Sequence, residues 1–206
     1  MGLVVPIICT RGKEDWKESV IVKELIMATE ADSAVPVRLF FAFWLPAEVA
    51  RVLHRVADGV VTRCGGRLLK HESFHLTLAF LGDVPVFRLP ELFELASGLE
   101  LPAVDIRLDK LDYWKHNQIL WAGCRHPAPE LPALAAVLQE RLLSAGFLTE
   151  TRTLLPHVTL RRKLQHPGVL PELEGFEWHA EELVLARSCR SDQGSVYEVI
   201  GRWPLA

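Results

Sequence analysis

The spacing of apolar residues changes period several times along the chain, and each change marks an element. Val37 to Trp44 is a nearly continuous aromatic and branched run, the pattern of a buried strand. Leu45-Pro46 ends it, and Pro46 suits the start of a helix, whose first turn has no use for the missing N–H. Val49, Val52, Leu53, Val56 and Val60 then fall on one helical face, with Gly65-Gly66 as the expected close. Ser73 to Leu81 reads as the next strand, ended by Gly82-Asp83, and Arg88 to Gly98 as a short helix. Val104, Ile106 and Leu108 alternate with Asp105, Arg107 and Asp109, which predicts a strand with one wet face.

The order then repeats. Gln118 to Cys124 reads as a strand. Pro129 to Ala145 reads as a helix with Leu131, Leu134, Ala135, Leu138 and Leu142 on one face and Gly146 behind it. Leu154 to Leu160, Glu182 to Ser188 and Ser195 to Trp203 read as strands. Each half runs strand, helix, strand, and each carries a short His-x-Thr sequence in its third element: His75-Leu76-Thr77-Leu78 and His157-Val158-Thr159-Leu160. The helix start precedes the histidine by nearly the same distance in both halves, Ala47 to His75 and Glu130 to His157. Two lobes related by a pseudo-two-fold axis explain this, and such an axis sets the two histidines face to face.

Composition narrows the class. Of 206 residues, 50% are hydrophobic and 24% charged, which fits a globular core and excludes disorder or a coiled coil as the main state. The formal net charge of -3 argues against a non-specific nucleic-acid coat and still permits a small basic cleft. No apolar run approaches the roughly 20 residues of a membrane-spanning helix. Cys9, Cys64, Cys124 and Cys189 are scattered without C-x-x-C spacing, as expected of reduced thiols in a cytoplasmic protein. The first residues lack the basic n-region and cleavage site of a signal peptide. Residues 1–35 stand apart as an extension of unknown role, with a loose amphipathic pattern over Lys13 to Ala31 and a linker into Pro36. Met27 is an alternative start, and residues 36–206 are expected to form a single bilobal domain.

The chemistry follows from strand geometry. Side chains two apart share a face, so His75 and Thr77 point one way while Leu76 and Leu78 point into a core; His157 and Thr159 do the same. Two imidazoles and two hydroxyls around one point suit attack at phosphorus. One neutral imidazole takes a proton from water, the other gives a proton to the departing oxygen, and the hydroxyls donate to the remaining phosphate oxygens. Arg161-Arg162-Lys163 follow, and an arginine fork is the preferred partner of a phosphate. Strict alternation from His157 favours Arg161, and a bend or bulge after Leu160 favours Arg162. Zinc binding by His75 and His157 lacks an H-E-x-x-H motif and a clear third ligand, so no metal and no cofactor is expected.

The paired motifs resemble those of the two-histidine (2H) phosphoesterases, and within them the bacterial RNA 2',3'-cyclic phosphodiesterases, or LigT-type 2'-5' RNA ligases. The resemblance rests on Arg38-Leu39-Phe40-Phe41-Ala42 with Leu45-Pro46, on Phe74 through Gly82, on Leu120-Trp121-Ala122-Gly123 and on Pro156 through Leu160. It extends to Leu185 through Ser188, Gly194, Tyr197 and Trp203-Pro204-Leu205. It implies an α+β fold of two lobes, each an antiparallel sheet with helices packed outside, flanking a central cleft. It implies that His75 and His157 are catalytic, that Thr77 and Thr159 bind the phosphate, and that the family's arginine falls on Arg162. The implied reaction opens a 2',3'-cyclic phosphate to a 2'-phosphate, with His157 as general base and His75 as general acid. The implied partners are RNA ends or small cyclic nucleotides, with no membrane and no obligate protein partner, in a monomer. His71 and Ser73 stand where proline and asparagine are common in the family. Competing readings are a 2'-5' phosphodiesterase or ligase using the same groups, and a non-catalytic module that binds RNA ends.

Overall fold

A computed structural model of the chain describes residues 36–60, 65–150, 153–191 and 194–206. The N-terminal extension with its expected helix and linker, and Cys9 and Cys64, lie outside the described residues. In chain order the elements are β1 (Pro36–Trp44), α1 (Ala47–Gly59), β2 (Arg67–Leu68), β3 (His75–Pro85) and α2 (Leu89–Ser97). They continue with β4 (Val104–Leu108), β5 (Lys110–Trp114), β6 (Ile119–Gly123), α3 (Glu130–Ser144) and β7 (His157–Arg162). The chain closes with β8 (Phe176–Ala180), β9 (Glu182–Ser191) and β10 (Gly194–Pro204).

Every strand pair is antiparallel. The main sheet runs β10-β9-β1-β3-β7-β6-β5 with β2 paired to β7, and β4 with β8 forms a separate two-stranded sheet. The repeat read in the sequence is the symmetry of the middle of this order: β1 pairs with β3, β6 pairs with β7, and β3 meets β7. The expected α+β architecture of two antiparallel lobes holds. The lobe sheets join edge to edge through one registered pair, Leu76 with Val158, so the seam between the halves falls where the two His-x-Thr sequences lie.

One sheet face carries the core. Leu39, Phe41 and Phe43 of β1, Leu76 and Leu78 of β3, and Val158 and Leu160 of β7 are buried in it. Burying such side chains stabilises the fold by roughly 1.5–3 kcal/mol each. The five apolar residues expected on the face of α3 are all buried. On α1 the buried positions are Ala50, Leu53 and Ala57, with Val49 and Val56 packed against the same core and Val60 buried just past the helix end, while Val52, expected on this face, is only half-buried. That helix ends at Gly59, well before the Gly65-Gly66 pair expected to close it; those glycines lead into β2.

Gly82 does not end β3. Leu39 registers with Gly82 and Phe40 with Phe80, so Leu81 is an extra residue, and Gly82 takes φ +68° in the resulting bulge. The strand then runs on to Pro85. Of the cysteines, Cys124 is buried and Cys189 exposed, both as free thiols. Burial, and then the Asp109 carboxylate, push the Cys124 thiol up to about 11. No helix among the described residues is long and apolar enough to cross a membrane.

Candidate active site

The Leu76–Val158 pair organises the site. Antiparallel neighbours step in opposite directions, so His75 lies across from Thr159 and Thr77 across from His157. Leu76 and Val158 are both 0% exposed, on the core side. The four polar side chains therefore share the other face, each half-buried.

Both imidazoles are held the same way. His75 Nδ1 lies 2.7 Å from the Ser73 carbonyl oxygen, and His157 Nδ1 lies 2.8 Å from that of Leu155. A carbonyl only accepts, so each Nδ1 carries the hydrogen and donates it. Each ring then keeps Nε2 as its free group, a lone pair in the neutral form and a donor when protonated. The Ser73 carbonyl is itself set by a short 3-10 turn, His71–Ser73, in which Ser73 Oγ donates to Lys70 O at 2.6 Å.

Aromatic rings fix the imidazoles from the sides. Trp44 stacks on His75 with centroids 5.2 Å apart at 20°, and its Nε1 donates to the Glu72 carbonyl at 2.8 Å. Phe40 and Tyr197 each lie 4.8 Å from the same ring. On the other side Trp114 meets His157 edge-to-face at 4.6 Å, and Trp121 stands 6.2 Å away. Trp114 comes from β5, which the spacing of apolar residues did not reveal. Its ring is the largest contribution to this site that the sequence reading missed.

Arg162 reaches the histidines because β7 is bulged. Leu120 registers with Arg161 but Trp121 with Thr159, so Leu160 is an extra residue. The bulge shifts the alternation by one. Arg161 turns away: its Nη2 donates to the Ala57 carbonyl at 3.3 Å and lies 3.8 Å from Asp58, tying β7 to the end of α1. Arg162 takes the face of Thr159 instead, and its charge is felt by both imidazoles. Its Nε is buried without a protein partner among the described residues. The repeat is broken here, because the matching position of the first half is Phe80.

These surroundings set the protonation at rest. Burial is the largest influence and lowers His75 to about 4; the Ser73 carbonyl opposes it, and Arg162 and His157 add to it. Burial and Arg162 also lower His157, against the Leu155 carbonyl. Both rings are therefore neutral at pH 7 in the free protein. A histidine kept neutral by the fold stabilises it fully above its ordinary value of 6.5, and that contribution is lost as pH falls from there toward 4. For His75 the loss is on the order of 3 kcal/mol. Denaturant unfolding at pH 7 and pH 4.5 is expected to show a smaller drop in His75→Gln than in the wild type. An identical drop would contradict the assigned protonation.

Gly123 guards the position of His157, its register partner. A Cβ there would lie 2.7 Å from the Pro156 carbonyl oxygen and 2.5 Å from the Trp121 ring. Gly123→Ala is expected to destabilise the fold by about 1–3 kcal/mol and to lower turnover by displacing the His157 strand. Thermal unfolding and kcat measured together check this. Among the described residues no group of three or more His, Cys, Asp or Glu could hold a metal ion.

Comparison with known proteins bears on what such a face does. A model of the LigT-like phosphoesterase family matches residues 43–121. The RNA 2',3'-cyclic phosphodiesterase of Escherichia coli (strain K12) is 32% identical over 173 residues, covering 82% of this chain and 97% of that protein. The protein of the same name from Thermus thermophilus is 33% identical over 180 residues, covering 82% and 90%. The crystal structure of E. coli LigT complexed with 3'-AMP superposes with a TM-score of 0.76 at 30% identity, covering 83% of this chain and 99% of that one. The chain shares its topology and about a third of its residues with these proteins, and it belongs to the LigT-like family of RNA 2',3'-cyclic phosphodiesterases, hydrolases of the 2H phosphoesterase type.

Proposed function

We propose that the protein opens 2',3'-cyclic phosphate ends of RNA to 2'-phosphates by acid–base catalysis between His75 and His157, without a metal. One observation carries the reading: two imidazoles with Nδ1 tied to a carbonyl, two threonine hydroxyls and Arg162 share one face at the joint between the lobes. Acid, base and anion donors are all side chains of this chain.

Water attacks phosphorus while His157 Nε2 takes its proton. The bond from phosphorus to the 3'-oxygen breaks, and His75 Nε2–H gives that oxygen its proton. Thr77, Thr159 and Arg162 donate to the non-bridging oxygens, where charge builds in the transition state. The products are a 2'-phosphate and a 3'-hydroxyl. His75 ends neutral and His157 protonated, and one proton exchanged with solvent restores the pair.

Trp44 supports giving the acid role to His75. Its ring lies stacked on His75, and an aromatic face favours an imidazolium over a neutral imidazole. In the free protein burial and Arg162 outweigh that effect. A substrate phosphate beside the ring pairs its negative charge with the imidazolium, which works against burial, the main influence, and it also offsets the charge of Arg162; the proton then has a place on His75. The RNA 2',3'-cyclic phosphodiesterase activity of its relatives, and the 3'-AMP held by the E. coli structure, support a nucleotide substrate here.

The test compares turnover of an oligoribonucleotide ending in a 2',3'-cyclic phosphate with turnover of a 2'-5' linked dinucleotide. The cyclic end is expected to react with the higher kcat/KM. Preference for the 2'-5' linkage would move the function to a 2'-5' phosphodiesterase or ligase. Tight binding of the cyclic end with no product would make the protein an RNA-end binding module.

A further inference from the structure

Arg67 stands beside this site without a task. It forms β2 with Leu68, and its register partner across the β2–β7 ladder is Arg162. Directly opposed residues of an antiparallel pair put their side chains on the same face. The second pair of the ladder gives the same facing: Leu68 opposes Arg161, and both belong to the core side, where Leu68 packs on the core and Arg161 holds the end of α1. Arg67 therefore lies on the face of Arg162, Thr159 and His157, half-buried.

Two arginines directly across a ladder repel each other. Elsewhere in this fold arginines meet acids: Arg88 with Glu91, Arg107 with Glu177, Arg187 with Glu198 and Arg202 with Glu182. Among the described residues neither Arg67 nor Arg162 has a carboxylate partner, and Arg162 also keeps a buried Nε without an acceptor. A pair of this kind is satisfied by an anion that supplies acceptors to both forks. Arg162 is the arginine whose charge both imidazoles feel, which assigns it to the reacting phosphate and leaves Arg67, across the ladder on β2, for a neighbouring charge.

We infer that Arg67 binds a second phosphate, the one on the 5'-oxygen of the ribose that bears the cyclic phosphate. This inference rests on the reaction proposed above. A 2',3'-cyclic phosphate occupies the 3' terminus, so an RNA chain can extend from it only through that 5'-oxygen. With Arg162 on the reacting phosphate, the neighbouring fork on β2 meets the next charge along the strand. The preferred substrate class is then a cyclic nucleotide carrying a 5'-phosphate, either as the linking diester of an RNA or as a free monoester, over a cyclic nucleoside with a 5'-hydroxyl.

Steady-state kinetics on three substrates tests it: adenosine 2',3'-cyclic phosphate with a 5'-hydroxyl, the same nucleotide with a 5'-phosphate, and a dinucleotide with the same cyclic end. The wild-type protein is expected to gain on the order of tenfold in kcat/KM from the 5'-phosphate, chiefly through KM. The dinucleotide gains as much if the linking diester is the natural ligand, and less if the free monoester is. In Arg67→Gln the gain is expected to shrink below about twofold, with the 5'-hydroxyl substrate unchanged within about twofold; Arg67→Lys keeps part of the gain through charge alone. Thermal unfolding of both variants shows whether β2 is intact. A gain retained in a folded Arg67→Gln, or equal losses on all three substrates, overturns the inference. Wild-type turnover of all three at equal kcat/KM overturns it alone, whereas no turnover of any of them fails the proposed function as well.

Discussion

His75→Ala and His157→Ala are each expected to lower kcat on a cyclic phosphate end by about 10²–10⁴-fold, with KM changed only a few-fold. In the proposed mechanism each change removes one proton-transfer group and leaves Arg162 and both threonines to bind the phosphate. The two imidazoles act in one proton circuit in that mechanism, so the losses should not multiply. The double variant is expected to be little worse than the worse single variant. Losses that multiply would mean two independent contributions to the rate and would contradict the shared circuit. His75→Ala also removes the ring on which Trp44 stacks, so thermal unfolding belongs beside the kinetics.

Arg162→Ala carries the second large effect, and it has two signs to check. Losing a charged donor aimed at the transition state is expected to lower kcat/KM by about 10²–10³-fold. The same change lifts a positive charge off both imidazoles, which Arg162 holds below their ordinary range. Their values then rise, and the acid limb of the kcat/KM profile moves to higher pH. Arg162→Lys keeps the charge and loses the fork, so its profile stays near the wild type while its rate is intermediate. A drop in rate with an unmoved pH profile in Arg162→Ala would mean that the guanidinium does not sit by the histidines.

Period was the legible signal, and it carried the elements that position the site. The alternation in Val104–Leu108 and the helical face of Leu131 to Leu142 appear in the fold as read. The matched placing of two His-x-Thr strands anticipated their meeting, because a repeat that pairs its own third element brings matching sequences together. Four features escaped for physical reasons. The extra residue at Leu160 has no glycine or proline to announce it, so alternation alone pointed to Arg161. Gly82-Asp83 has turn composition yet forms a bulge inside a longer strand, since the same positive φ serves both. β5 mixes charged, aromatic and apolar residues without a clean period, because it sits at the sheet edge and buries only Leu111, whereas β8 alternates and buries Trp178 and Ala180 but is only five residues long. The carbonyl bonds that fix both imidazole tautomers are backbone features and have no residue signature.

The most direct test identifies the product. Chelator-treated protein is incubated with an oligoribonucleotide ending in a 2',3'-cyclic phosphate, beside His75→Ala and His157→Ala, and the new end group is assigned as 2'- or 3'-phosphate. Catalysis by the two histidines predicts turnover that survives the chelator, yields only the 2'-phosphate and is nearly lost in both variants. Turnover that both variants retain, or a 3'-phosphate end, would contradict it.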